Sequence, residues 1–272
     1  MSARRPTRRQ FLRGAAAVGS VMAVDGFAIE PRWLDVMVHR VAVPALPASM
    51  EGYRIAQVTD VHLSSLGMLH ESIARALDSL RPQLVALTGD VIDSPATLPT
   101  LSALCRMFAR PGRTLVATAG NWEHWGAVPL DALDEAYRRG GATFLGNESR
   151  TLGGLYLAAT DDGCTDRADL PRALRDLPRE HPRVLLTHAP GVLDMPSGEA
   201  PVCDLTLAGH THGGQVRVPF TAITPPGSGR FVAGFYDTPY GRAYVSRGVG
   251  TSILPVRFLN RPELPVFELV RG

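Results

Sequence analysis

The sequence predicts an α/β fold organised around parallel strands, and three observations carry that expectation. Five short β-branched or leucine-rich runs recur along the chain, each ending in a side chain that can bind a metal. Amphipathic helical patterns separate the early runs, and strand, helix, strand alternation produces parallel strands. The 272 residues are 45% hydrophobic and 20% charged, with a mean hydropathy of +0.02. That supplies a sizeable core and excludes a disordered chain, a collagen, a coiled coil and a polytopic membrane protein.

From the N-terminus, the chain reads Thr7-Arg8-Arg9-Gln10-Phe11-Leu12-Arg13, then an uncharged, weakly apolar run from Gly14 to Val24. This order resembles a twin-arginine export signal over residues 1–30, an address read by the export machinery and not part of the fold; a basic tail is the alternative. Asp25-Gly26-Phe27-Ala28 is a loose cleavage site, so the signal is either removed or kept as an anchor. The apolar run is short for a normal transmembrane helix. Export implies the periplasm or the outer face of the cytoplasmic membrane, with peripheral membrane association open. All 28 basic residues are Arg, and Arg4, Arg5, Arg8, Arg9 and Arg13 fall in this segment. Without residues 1–30 the chain has 23 basic and 24 acidic residues, a net charge of −1, which argues against a nucleic-acid partner. Residues 31–49 read as an extended lead-in, and residues 50–272 as one α/β domain. Cys105, Cys164 and Cys203 lie far apart and suggest neither a zinc knuckle nor a disulfide framework.

The strand-like runs are Arg54 to Thr59 into Asp60, Leu84 to Thr88 into Gly89-Asp90, Thr114 to Ala119 into Gly120-Asn121, Val184 to Thr187 into His188, and Leu205 to Ala208 into Gly209-His210. Helical patterns occupy Leu69 to Leu80, Leu98 to Ala109 and Pro129 to Arg139, the last with proline in its first turn. Parallel strands place their carboxyl ends on one edge, where ligands bind in open α/β sheets. That edge would gather Asp60, His62, Asp90, Asn121, His188, His210 and His212. Each pair spaced by two, Asp60/His62 and His210/His212, can turn toward one centre if its loop breaks the strand alternation. Four His, two Asp and one Asn without a thiolate suit divalent Mn, Fe, Co, Ni or Zn. Seven donors exceed the four of a structural zinc, whereas two metals sharing Asp90 would use them all.

These motifs, in this order, resemble the calcineurin-like metallophosphoesterases: Asp60-Val61-His62, Gly89-Asp90-Val91-Ile92-Asp93, Gly120-Asn121-Trp122-Glu123, His188 and Gly209-His210-Thr211-His212. Gly213-Gly214-Gln215, the stretch Val245 to Ser252, Arg257-Phe258 and Arg261-Pro262-Glu263 narrow the resemblance to an exported YkuE-like branch. It covers about residues 50 to 272 and implies a four-layer α/β/β/α sandwich. It also implies that Asp60, His62 and His212 hold one metal, Asn121, His188 and His210 the other, and that Asp90 bridges them. Two divalent cations against two carboxylates leave a positive surplus that attracts a phosphate ester, and the pair would activate a shared water for in-line attack. The activity so implied is metal-dependent phosphoesterase, with a diester preferred over a monoester, manganese the preferred metal, and a cell-envelope or lipid-linked phosphoester as substrate.

Trp122 departs from the family, which usually has a histidine there to meet the phosphate or protonate the leaving group. His124 is the nearest replacement and the candidate catalytic acid; a loop histidine between two aromatics is the alternative. Asp93 is expected to orient a ligand histidine or to cap a helix. Gln215 reads as a substrate contact or a plain turn, Arg247 and Arg257 as phosphate contacts or structural ion pairs. The Pro219 to Arg230 loop is a candidate for substrate selection. Phe231, Phe235, Tyr236 and Tyr240 read as core, or as a rim suited to a lipid. A non-catalytic metal- or phosphate-binding envelope protein is the reading that Trp122 keeps open.

Overall fold

The central strands carry apolar side chains on both faces, so each sheet must be covered on both sides. The computed structural model describes residues 7–44, 46–175, 177–178, 182–196, 198, 202–217 and 221–272. Arg4 and Arg5 of the arginine segment, and Pro219 with Phe220 of the loop, lie outside the described residues.

The chain opens with helix α1 (Arg8–Val24), capped by Thr7 and continued by a wider π-helical turn (Asp25–Ile29) and a tighter 3-10 turn (Glu30–Arg32). Strands β1 (Asp35–Val43) and β2 (Arg54–Val58) follow, then α2 (Met68–Leu80), β3 (Leu84–Thr88), α3 (Leu98–Phe108), β4 (Thr114–Thr118), α4 (Asn121–Trp125), α5 (Leu130–Arg139) and β5 (Ala142–Phe144). The second half holds β6 (Glu148–Leu152), β7 (Leu155–Ala159), α6 (Leu170–Leu174), β8 (Arg183–Leu186), β9 (Cys203–Ala208), β10 (Gly234–Thr238), β11 (Gly241–Val245) and β12 (Glu263–Arg271). One sheet runs β1-β12-β2-β3-β4-β5, the other β10-β11-β9-β8-β7-β6. The β2-β3-β4-β5 and β7-β8-β9-β11 pairings are parallel.

Four layers result. Ile55, Leu84, Ala86 and Val116 of the first sheet meet Leu157, Val184, Leu186 and Leu207 of the second in an inner core. The alternate residues Ala56, Val58, Val85, Leu87 and Leu115 face outward onto Ile73 and Leu77 of α2, Leu101, Leu104 and Phe108 of α3, and Leu133 and Tyr137 of α5. On the other side Ala158, Leu185, Ala208 and Val245 pack on Leu170 and Leu174 of α6 and on Phe231.

Four expectations change. The five donor-bearing strands belong to two sheets, β2, β3 and β4 in one and β8 and β9 in the other, so one edge of the sandwich, not of a single sheet, collects their ends. The lead-in is no separate tether: β1 pairs in parallel with the C-terminal β12 over nine residues. Lastly, the apolar N-terminal run is helical well beyond Gly14 to Val24. The helix Arg8–Arg32 spans 25 residues, long and apolar enough by length and composition to cross a membrane. Pro129 stands at the cap position of α5 rather than within its first turn.

Candidate metal centre

Each donor sits where a buried strand gives way to a loop, and the backbone there is unusual. Asp60, His62, Asp90, His210 and His212 all have positive φ, between 48° and 71°. For residues other than glycine this conformation costs roughly 1–3 kcal/mol each and persists only where surroundings enforce it. It turns the chain sharply out of the strand; of the pairs spaced by two, Asp60 and His62 join one group of donors, while His210 and His212 divide between two groups. The first two loops brace one another, the Asp60 N–H donating to Gly89 O at 3.1 Å and the His62 N–H to Asp90 O at 3.0 Å. Glycine is required beside them: a Cβ on Gly120 would lie 2.3 Å from Asp90 Oδ1, and one on Gly89 2.6 Å from His188 Nδ1.

The seven side chains converge as two groups. In the first, His62 Nε2 and His212 Nε2 stand 3.0 Å apart, and Asp60 Oδ1 lies 3.5 Å from His212 Nε2. In the second, His188 Nε2 is 3.0 Å from Asp90 Oδ2 and 3.1 Å from Asn121 Oδ1, while His210 Nδ1 is 2.8 Å from the same Asn121 oxygen. Asp90 Oδ2 also lies 4.0 Å from His62 Nε2, which puts this carboxylate between the groups. Within each set of His and Asp the potential ligand atoms all lie within 4.8 Å of one another.

The outward nitrogens show that this donor set fits divalent cations. His188 Nδ1 lies 2.8 Å from Thr88 O and His210 Nε2 2.7 Å from Pro226 O. A carbonyl only accepts, so those nitrogens hold the protons, leaving His188 Nε2 and His210 Nδ1 with lone pairs that face the centre. His62 Nδ1 meets Asp93 Oδ1 at 2.8 Å, so Asp93 orients a histidine rather than capping a helix, a place that Ser94 takes. His212 Nδ1 is buried without a partner among the described residues.

Charge follows the same arrangement. Burial raises the Asp60 carboxyl above its ordinary value. Burial pushes Asp90 the same way, but neighbouring His188 and His62 and the Trp122 N–H outweigh it and hold Asp90 low. His188, opposed by burial, is raised well above its ordinary value by Asp90. His212 is lowered well below its own by burial and by the adjacent His62, so its ring stays neutral. A cation among these donors would replace the proton that His188 holds and favour an ionised Asp60.

Glu123, one turn into α4, is a structural carboxylate that motif reading did not single out. Fully buried, it accepts the N–H groups of Gly120 (2.9 Å), Asp90 (3.0 Å), Val91 (2.7 Å) and Ile92 (3.1 Å), tying the β3 and β4 loops together. Burial and neighbouring Asp90 push its carboxyl up to about 7, against the pull of those N–H groups. Its only advance signal was a glutamate two residues after a donor asparagine.

A cavity of about 320 Å³ opens over the donors. Asp90, Asn121, His210 and His212 form its floor; Trp122, Trp125, Ile223, Pro225, Pro226 and Ile253 form most of its wall. Described residues of the Pro219 to Arg230 loop therefore do border the site. His124 does not line this cavity. Its Nε2 lies 2.6 Å from Asp161 Oδ1, both side chains are nearly buried, and Asp161 lines a separate depression. The geometry thus pairs His124 with Asp161 and does not bring it to the cavity floor. Gln215 makes neither a plain turn nor, through its amide, a substrate contact: the side chain grips Ser252 and Leu254 of the opposite loop. Arg257 is buried and spends its guanidinium on the carbonyls of Arg247, Gly248, Gly250 and Asn260, and Arg247 pairs with Asp35 and Glu263. Phe231 and Tyr240 are buried in the core, away from any rim.

A two-sheet sandwich with an Asp-, Asn- and His-rich centre on one edge defines a metal-dependent phosphoesterase. The chain belongs to the calcineurin-like phosphoesterase family, whose profile its residues 53–214 match. It is 32% identical to the metallophosphoesterase YkuE of Bacillus subtilis (strain 168), over 97% of each chain. It is 28% identical to the phosphodiesterase YaeI of Escherichia coli (strain K12), over 97% of this chain and 99% of that one. A transmembrane protein with metallophosphoesterase domain from Danio rerio is 26% identical over 92% of this chain and 60% of its own length.

Proposed function

We propose that this chain is an exported phosphodiesterase with two divalent metals, Asp60, His62 and His212 holding one, Asn121, His188 and His210 the other, and Asp90 both. The observation that carries this reading is the position of Asp90 Oδ2, 3.0 Å from His188 Nε2 and 4.0 Å from His62 Nε2, on the floor of the cavity. When bound, the metal pair supplies a water activated at neutral pH and positive charge for the phosphoryl oxygens. The chain's own residues do the rest. Thr88, Pro226 and Asp93 fix the rings of His188, His210 and His62, the Trp122 N–H (2.8 Å) holds Asp90 Oδ1, and the Trp122 indole shields the floor from bulk water. With no imidazole of residue 122 or 124 over the floor, an ester whose leaving group departs unprotonated is favoured. The diester preference draws on the name of the Escherichia coli relative. Oxygen and imidazole ligands with no thiolate suit Mn, Fe, Co, Ni or Zn, and of these manganese is the metal we propose.

Export by the twin-arginine route rests on Arg8 and Arg9 ahead of the apolar helix. Turnover of bis-p-nitrophenyl phosphate with added Mn²⁺, alongside elemental analysis, tests the chemistry. Two metals per chain and turnover support it; a single tightly held zinc in active protein would sink the dimetal reading, and two metals without turnover would favour a binding protein. Changing Arg8 and Arg9 to Lys should hold the folded protein in the cytoplasm, and unchanged export on fractionation would remove the signal assignment.

A further inference from the structure

The loops around the cavity mouth expose large apolar side chains and carry no charge. Ile253 is 87% and Ile223 79% exposed, and Trp125 and Leu254, the latter next to Ile253 in the chain, are exposed as well. Neither Val249–Val256 nor Thr221–Gly229 contains a charged residue. Such a cluster is costly to leave in water unless something covers it.

The N-terminal helix is rooted in the same place. Immediately after α1 the chain packs onto residues 256–260: the Arg257 N–H donates to Gly26 O at 3.0 Å, and the Glu30 carboxylate accepts the N–H groups of Leu259 (2.8 Å) and Asn260. Asn260 Nδ2 in turn donates to the carbonyl of the donor residue His212 at 2.6 Å. A rigid path of hydrogen bonds therefore joins the helix root to the metal centre, and Gln215 ties Ser252 and Leu254 to the same loop. Within residues 25–32, which contain the loose cleavage site, Gly26 and Glu30 are buried against the body. Removal of the chain through Ala28 would strip Arg257 N of its Gly26 partner.

We infer that helix α1 stays on the mature protein as a membrane anchor, and that the cavity mouth is held against the outer surface of the bilayer with its apolar loops among the lipids. Length makes the two parts one device. Between Arg13 and Asp25 the helix has an uncharged stretch of 11 residues, Gly14–Val24, and at about 1.5 Å per residue it covers roughly 16 Å of a hydrocarbon core about 30 Å thick. Without a flexible linker, a helix whose uncharged stretch is shorter than that core draws the body down onto the membrane. Arg8, Arg9 and Arg13 at the far end place that end on the cytoplasmic side and the body outside. Resting on the phosphodiesterase reading, the substrate is then a phosphodiester carried on a membrane lipid, entering from the bilayer with its apolar part along Trp122, Trp125 and Ile253.

The full chain, metal-loaded and carrying Trp33→Phe, leaves Trp122 and Trp125 at the mouth as the only tryptophans. It is mixed with vesicles of phosphatidylglycerol and phosphatidylcholine bearing brominated acyl chains. The protein should float with the vesicles and lose tryptophan emission. Leu254→Asp, outside the cavity lining, should still float and turn over bis-p-nitrophenyl phosphate unchanged, yet regain most of that emission. Failure to float overturns the anchor. Floating protein without quenching, or quenching that survives the Leu254→Asp substitution, overturns the membrane-facing mouth. Quenching as expected with no turnover of bis-p-nitrophenyl phosphate would leave the docking surface in place and remove the phosphodiesterase reading instead.

Discussion

The floor and the rim of the cavity follow opposite rules. The floor is buried and polar, its backbone held in left-handed conformations by hydrogen bonds between loops, with ring nitrogens fixed by Asp93, Thr88 and Pro226. The rim is largely apolar, contributed by α4 and by loops far along the chain, and is held by the Gln215 tie to the 252–254 backbone and by edge-to-face contacts of Trp122 with His62 and Trp125. Chemistry that depends on fractions of an ångström is therefore built on strand ends, while the surface that meets the rest of the substrate is free to vary. Perturbing the floor should abolish function, and perturbing the rim should retune it.

Replacing Asp90 by Ala should have the largest effect, because its carboxylate faces both donor groups. Metal content should fall at both sites and turnover by about 10³-fold or more, read by elemental analysis and steady-state rates; loss of only one metal would show that the floor is two independent halves. Asp93→Asn keeps the shape but not the charge behind His62 Nδ1. It should weaken the metal held with Asp60 and His212 by about 10- to 100-fold and leave the other largely in place, a difference that metal titration resolves.

The floor should also respond to pH in a defined direction. His188 of the metal-free protein holds a proton well above its ordinary range because of Asp90. The stabilisation from that ion pair is present at low pH and lost as pH rises through the raised value. Metal affinity should run the opposite way, rising about tenfold per pH unit while one proton is displaced; calorimetry in buffers of different ionisation enthalpy would count the protons, and an affinity flat across that range would contradict the charge pairing.

Rim changes should be milder. Trp125→Ala should raise KM for a diester bearing a long alkyl group by about 10-fold, the worth of roughly 1.4 kcal/mol of apolar contact, while methyl p-nitrophenyl phosphate is turned over as before. An equal effect on both substrates would place Trp125 with the floor. The smallest expected effect on rate belongs to His124→Ala. With its Nε2 engaged by Asp161, the loss should appear as about 1 kcal/mol of stability, with alkyl and p-nitrophenyl diesters slowed alike or not at all. A selectively slowed alkyl diester would restore His124 as a proton donor.

Sequence alone determined the five buried strands β2, β3, β4, β8 and β9 and the donor-capable side chains just past them. A buried parallel strand needs a continuous apolar run, and a donor just past it is visible as a break in that run, as at Val58 to Asp60 or Ala208 to His210. The arginine pair and the apolar segment were legible for the same reason, since composition and order suffice. Only the tertiary structure decided the rest. Two sheets rather than one bring β8 and β9 against β2 and β3, a pairing of faces that local patterns do not encode. The buried roles of Glu123 and Arg257 depend on backbone groups from three or four separate loops, so no spacing could announce them. His124 pairs with Asp161, 37 residues away, a contact that no local spacing announces. The apolar rim exists only because α4, residues 223–226 and residues 252–253 meet above the floor, and the helix root beside it depends on Glu30 reaching backbone N–H groups more than two hundred residues on. Periodicity reports what a strand or helix does to its own neighbours; long-range hydrogen bonds are set by where the chain returns.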